Sequence, residues 1–334
     1  MIPRTAAAWQ TEPWQQQLAR AFDSPTQLLR HLRIDPATLP PCDRAAAGFR
    51  LRVTREYAAL MRRGDPDDPL LRQVWPAAAE LLDRAGFGDD PVGDRGAMRV
   101  PGLLQKYRGR ALLMPTGACA IHCRYCFRRH YPYRDGTLGR DWSGALEQLR
   151  GDPTIHEVIL SGGDPLLLPD HLLQKLTAEL ATIPGLQTLR IHSRLPVVLP
   201  DRLSGDLTRL LAGGRLQPVL VLHLNHPREM SEPLRQRLQP LRTAGVTLLN
   251  QSVLLRGVND DTEIQVELAR KLFRAGILPY YLHLLDRVRG AAHFEVERQQ
   301  ALAIHRGMRR QLPGYLVPRL VEERAGEPYK TPVP

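Results

Sequence analysis

From about Ala111 onward the chain alternates short β-branched or leucine-rich runs with longer stretches of helical period, and this alternation restricts the fold more than any other feature. Strands are expected at 111–114, 157–160, 186–191, 218–222, 246–254 and 278–284. Helices are expected between and after them, at 143–150, 170–182, 201–211, 232–243, 261–275 and 295–310. Strands separated by helices pair in parallel through right-handed crossovers. Six such steps are too few for the eight-fold closed barrel. The expected class is therefore α/β, an open partial (β/α)6 barrel with its functional residues at the C-terminal ends of the strands. The helical stretches rule against an all-β fold.

The first hundred residues read differently. Apolar residues recur at three-to-four spacing over 44–63 and 70–84, separated by the breaker GDPDDP at 64–69. FGDDPVGDRGAM, 87–98, reads as a loop and a boundary. The expected division is an N-terminal helical region at 1–100, a core at 101–312 and a C-terminal segment at 313–334. The 334 residues, 43% of them hydrophobic, allow one large domain or two ordinary ones. No apolar run approaches the roughly 18 to 20 residues of a membrane span. The first residues, MIPRTAAAWQTEPWQQQ, lack the apolar stretch of a secretory signal, so a cytoplasmic protein without a membrane partner is expected. The net charge is +11, yet four of the 46 basic residues are lysines (Lys106, Lys175, Lys271, Lys330) and the rest are arginines spread through helical segments. That dispersal fits a solvated surface better than a nucleic-acid footprint, and an acidic protein or RNA partner stays open.

Three of the four cysteines lie within eight residues, Cys119-Ala-Ile-His-Cys123-Arg-Tyr-Cys126, directly after the first expected strand. Clustered thiols in a reducing compartment bind metal rather than form a disulfide framework. The C-x3-C-x2-C spacing can hold three irons of a 4Fe–4S cluster and leave the fourth open to a ligand. Zinc, with His122 or His130 as fourth ligand in a small nucleic-acid-binding module, is the competing reading. Cys42, alone in the N-terminal region, reads as a bystander. The second expected strand ends in Ser161-Gly162-Gly163-Asp164-Pro165, where paired glycines let a ligand approach the backbone and Asp164 can accept from an ammonium group.

A cysteine loop followed by a glycine-pair strand end resembles the radical S-adenosylmethionine (SAM) superfamily. From about Pro101 to the C-terminus the chain more closely resembles the lysine 2,3-aminomutase family. The matching segments are Lys106-Tyr107 with Arg110, Cys126-Phe127-Arg128-Arg129, SRLPVVLP from Ser193, HLNHP from His223, NQSVLLRGVND from Asn250, and Lys330-Thr331-Pro332. The resemblance implies a 4Fe–4S cluster on Cys119, Cys123 and Cys126, with SAM held by Ser161, Gly162, Gly163, Asp164, Ser193 and Arg194. It also implies pyridoxal 5'-phosphate as a second cofactor, with Lys330 as its Schiff-base and catalytic lysine and Tyr107, Arg110 and Gln251 around it. Arg128 is implied to hold the substrate carboxylate, while Arg129 is expected to point elsewhere as a solvated charge. Asp286 and Glu323 are implied to hold the distal ammonium of lysine.

A glutamate stands at 323 where the family usually has aspartate, and Gly326-Glu-Pro-Tyr precedes Lys330 where its mutases are richer in glycine. Two acids at one end argue for a cationic amino acid, because like charges would reject an acidic side chain. Lys330 lies in a segment that otherwise reads as a free tail, so a catalytic role requires the last dozen residues to fold back over the barrel mouth. The chain runs four residues past Lys330, and with FRRHYPY after the cysteines it resembles the short branch that makes (R)-β-lysine for elongation factor P. That branch implies a functional link to elongation factor P and its lysyl ligase, and a donor such as flavodoxin or ferredoxin. A homo-oligomer is possible. A catabolic or osmolyte-producing lysine 2,3-aminomutase, or a radical SAM enzyme without pyridoxal phosphate, are the alternatives.

Overall fold

A computed structural model describes residues 13–39, 42–139 and 141–334. The expected N-terminal region is helical, but in short pieces: α1 (Trp14–Ala19), α2 (Pro25–Leu32), α3 (Asp43–Gly48), α4 (Arg55–Ala58) and α5 (Pro69–Arg72). The helices expected over 44–63 and 70–84 are both broken. Val53 leaves helical geometry to pair its backbone with Phe22, and the second stretch passes through Pro76 into a 3-10 turn at Ala78–Leu81. Apolar spacing there marks burial in a common core rather than one continuous helix. Trp14, Leu28, Leu32, Tyr57, Leu70 and Leu71 join the same buried cluster as the barrel residues Leu113, Leu160 and Ile191.

Among the described residues the sheet has ten strands in chain order. β1 (Met98–Val100) and β2 (Leu103–Leu104) form an antiparallel flap on β3 (Arg110–Thr116). Parallel pairing then runs through β4 (Glu157–Gly162), β5 (Thr188–Ser193), β6 (Gln217–Leu222), β7 (Thr247–Val253) and β8 (Leu278–His283). These match the six expected strands. The intervening helices are α6 (Ser143–Gly151), α7 (Asp170–Ala181), α8 (Leu195–Val198), α9 (Gly205–Ala212), α10 (Glu232–Thr243) and α11 (Thr262–Arg274), and α12 (Arg298–Gln311) follows β8. The helix expected at 201–211 starts late, because Ser204 leaves the helical path and caps α9 by accepting from Leu207 N.

Alternation along the strands separates two faces. Val158, Leu160, Leu189 and Ile191 bury outward against the helices, while Ile159, Arg190 and His192 face the interior chamber. The C-terminal segment does more than close the mouth. Arg319–Glu322 forms β9, a seventh parallel strand on β8, and Thr331–Pro332 turns back as antiparallel β10. Val333 is buried beneath it. The tail is thereby ordered, and Lys330 is carried to the barrel mouth.

Candidate active site

All sixteen residues singled out from the sequence line one of two cavities at the C-terminal ends of the strands. The cavities share Phe127, Arg128, Ser161, His192, His223 and Gln251, so they form one continuous chamber. Cys119, Cys123 and Cys126 line one end. Tyr107, Arg110, Asp286, Glu323 and Lys330 line the other.

At the thiol end, burial pushes Cys126 up to about 11, reinforced by the Cys123 charge, and pushes Cys119 well above the ordinary thiol value. Three mutually repelling thiolates in a buried loop need a cation to neutralise them, which suits metal ligation. The zinc alternative lacks its fourth ligand. His122 places Nδ1 2.8 Å from the Arg50 carbonyl and His130 places Nε2 3.2 Å from the Arg289 carbonyl, both held by backbone away from a common centre. Among the described residues no three His, Cys, Asp or Glu side chains converge on a single ion.

The glycine pair also packs tightly within the fold. A Cβ on Gly163 would lie 2.3 Å from the Ala118 carbonyl, and Gly162, at φ +113°, would meet the Thr116 carbonyl at 2.8 Å. The close approach that these glycines permit is made by the protein's own cysteine loop, through Gly163 N to Thr116 O (2.9 Å) and Asp164 N to Ala118 O (2.8 Å). Both oxygens of Asp164 are likewise engaged inside the fold. Oδ1 accepts from Ser193 Oγ (2.7 Å) and Leu166 N, and Oδ2 accepts from Arg194 N (2.9 Å) and Leu195 N (2.8 Å). Asp164 thus ties the end of β4 to the end of β5, and the edge left for a ligand is the backbone of 161–163 beside the thiols. Arg194 reaches behind the cysteines, donating to Cys123 Sγ (2.8 Å), Gln73 (2.8 Å) and Glu229 (2.7 Å).

At the far end Lys330 Nζ lies 2.5 Å from Glu323 Oε2, and Lys106 Nζ lies 3.0 Å from Glu323 Oε1 and 2.6 Å from Asp94 Oδ1. Burial opposes ionisation of Glu323, but the two ammonium groups outweigh it and hold its carboxyl well below the usual range. Asp286 has no such partner among the described residues, and burial together with the Glu323 charge pushes it up to about 7. Arg128 donates Nε to Asp94 Oδ2 (2.6 Å) and Nη1 to Ser161 Oγ (3.1 Å), which leaves Nη2 for a guest. Arg110 lies over the Tyr107 ring at 4.6 Å. Arg110 Nε, Arg190 Nε and His192 Nε2 are buried without partners among the described residues. Such orphaned donors, two of them on guanidinium groups in one chamber, fit a bound anion such as a phosphate ester.

Several of these residues had no place in the sequence reading. Arg190 and His192 on β5, and Tyr281 and His283 on β8, are polar at alternate positions of otherwise apolar strands, a signal for lumen-facing side chains. Asp94 carried no signal, since it comes from the acidic loop before β1. Lys106 stood in a matched segment but without a role. Arg129, expected as a solvated charge, is instead buried on Glu80 at 2.6 Å at the edge of the thiol end of the chamber.

An incomplete parallel β/α barrel with three thiols on the loop after its first barrel strand is the arrangement that the sequence resemblance implies. No family model matches the chain. Similarity to characterised proteins is nevertheless extensive. The chain is 48% identical to the L-lysine 2,3-aminomutase of Escherichia coli (strain K12) over 96% of its own length and 94% of that protein's. It is 44% identical to the Haemophilus influenzae L-lysine 2,3-aminomutase, over 99% of this chain and 98% of that one. For the Clostridium subterminale L-lysine 2,3-aminomutase the figures are 35% identity, 96% of this chain and 77% of that one. The chain belongs to the L-lysine 2,3-aminomutase family and is an isomerase of that type. Among the described residues no helix is long and apolar enough to cross a membrane.

Proposed function

We propose that this protein converts L-α-lysine to β-lysine, in the R form, by a 2,3-amino shift that uses a 4Fe–4S cluster, SAM and pyridoxal phosphate. The observation that carries the reading is the single chamber with thiols at one end and Lys330 with two acids at the other. When bound, these groups supply a hydrogen-abstracting radical and a π-system across which nitrogen can move.

The chain's own residues bind, orient and handle protons. Cys119, Cys123 and Cys126 hold the cluster, and the backbone of 161–163 lines the SAM side. Arg110 and Arg190 offer unpaired guanidinium nitrogens to the phosphate, with Tyr107 and Gln251 beside them. Lys330 supplies the amine, and Glu323, 2.5 Å away, orients it through their ion pair. Arg128, oriented by Asp94 and Ser161, takes the substrate carboxylate. Asp286 takes the distal ammonium, the choice a cationic amino acid requires. Buried walls around these groups keep water from the reacting carbon.

Within the family we place the protein in the branch that supplies β-lysine for elongation factor P, with a flavodoxin or ferredoxin as reductant. Higher identity to the Escherichia coli and Haemophilus influenzae proteins (48% and 44%) than to the Clostridium subterminale one (35%) supports this placement. Anaerobic reconstitution with iron, sulfide, pyridoxal phosphate, SAM, lysine and reductant, followed by chiral product analysis, tests the reaction. (R)-β-lysine is the expected product, and unchanged lysine refutes the proposal. Elongation factor P co-expressed with its lysyl ligase should gain the mass of one lysyl group more often when this protein is present.

A further inference from the structure

The cysteine loop faces two ways. Cys119, Cys123 and Cys126 line the chamber, and His122, Arg124 and Arg129 between and after them bond back to the N-terminal extension. Arg124 stands between two ligand cysteines and is fully buried. Its Nε and Nη2 fork onto Glu80 at 2.7 and 2.5 Å, Nη1 donates to the Phe49 carbonyl and Nη2 to the Ala45 carbonyl. Arg129 shares the same Glu80 oxygen at 2.6 Å, and both guanidinium groups lie over the Phe49 ring at 4.8 and 4.7 Å. The loop backbone is tied the same way, through Arg124 N to Gln73 O (2.9 Å) and His122 N to Arg52 O (3.0 Å).

We propose that the N-terminal extension is part of the cluster site, with Glu80 the positioning residue that keeps the 119–126 loop in its ligating shape. The inference rests on the cluster reading of the three thiols. Glu80 is the sole acid paired with either arginine among the described residues, and its side chain is 2% exposed. Without it, two adjacent buried guanidinium groups repel each other with no counter-charge, and relief comes only by moving the loop that carries them. A cluster whose three protein ligands come from one loop depends on the geometry of that loop for its retention.

The test is iron release from the anaerobically reconstituted full chain to a ferrous chelator, with hydrogen exchange of loop 119–129 in the iron-free protein. Glu80→Gln should release iron roughly 10- to 100-fold faster than the parent, the usual range for loss of a supporting contact around a metal site. Loop exchange should rise while the barrel strands stay protected. Arg235→Ala, on the exposed face of α10, should match the parent in both. Parent rates of release and exchange in Glu80→Gln overturn the proposal. Should Glu80→Gln not fold, Glu80→Asp decides: it keeps the charge but shortens the reach, so faster release supports the proposal and the parent's rate overturns it. A parent protein that takes up no iron at all would instead remove the cluster reading itself.

Discussion

Replacing Asp286 with asparagine removes one charge from the far end of the chamber and almost no volume. Asp94 and Glu323 are each paired with lysine or arginine, whereas Asp286 has no ion pair among the described residues. Burial, then the charge of Glu323, push its carboxyl up to about 7. Against an unfolded value near 3.9, keeping that group ionised in the fold costs about 4 kcal/mol at about 1.36 kcal/mol per pH unit. The native state keeps a proton that the unfolded chain has already lost, so this group lowers stability as pH climbs from about 4 to about 7, and the loss then levels off. Asp286→Asn escapes that loss. Free of ligands, it should melt several degrees above the parent at about pH 8, with the gain vanishing near pH 4.

Lysine binding should move the other way. Losing a desolvated charge partner costs about 2–4 kcal/mol, or roughly 30- to 1000-fold in lysine affinity. In the parent, lysine uptake near neutral pH should release a proton, so affinity falls as pH drops below about 7; in the variant this slope disappears. Thermal melts across pH, with calorimetric titration in two buffers of different ionisation heat, measure both effects. A variant that melts with the parent at pH 8 and binds lysine equally well would refute the reasoning, because Asp286 would then be neither strained nor engaged.

Lys330→Ala, and truncation after Tyr329, should both abolish the visible absorbance of lysine-bound pyridoxal phosphate and all turnover while the iron–sulfur signal persists, as spectra of reconstituted protein would show. If the band survives, Lys106, which shares Glu323, must carry the cofactor, and peptide mapping after borohydride reduction would locate it. Cys123→Ala should hold no stable cluster while Cys42→Ala keeps full iron content by metal analysis. Arg190→Gln leaves the Glu157 partner of its Nη2 unpaired and removes one phosphate donor, so pyridoxal phosphate affinity should fall about 10-fold, a cost of about 1.5 kcal/mol, in equilibrium dialysis. Asp94→Asn frees both Arg128 and Lys106, and should raise KM for lysine more than it lowers kcat.

The periodic parts of this protein are local and could be read from the chain. Strand–helix alternation after Ala111 and the cysteine spacing depend on neighbours within a few residues, so the barrel strands appear where the pattern puts them. The N-terminal stretches at 44–63 and 70–84 misled because apolar spacing reports burial, and burial there comes from packing on the barrel rather than from helix continuity. Gly162 and Gly163 announced a close approach, but only the fold reveals that the approaching atoms are the Thr116 and Ala118 carbonyls. Asp94, Glu80 and Arg190 meet Lys106, Arg124 and the chamber across separations that no local pattern encodes. The sequence by itself determined the barrel, the thiol loop and the residue types that reach the chamber. Tertiary structure alone decided which carboxylate stays unpaired, which arginines keep free donors, and that the tail becomes a strand and brings Lys330 to Glu323. Charge pairing and desolvation depend on distance in space, and the fold sets that distance.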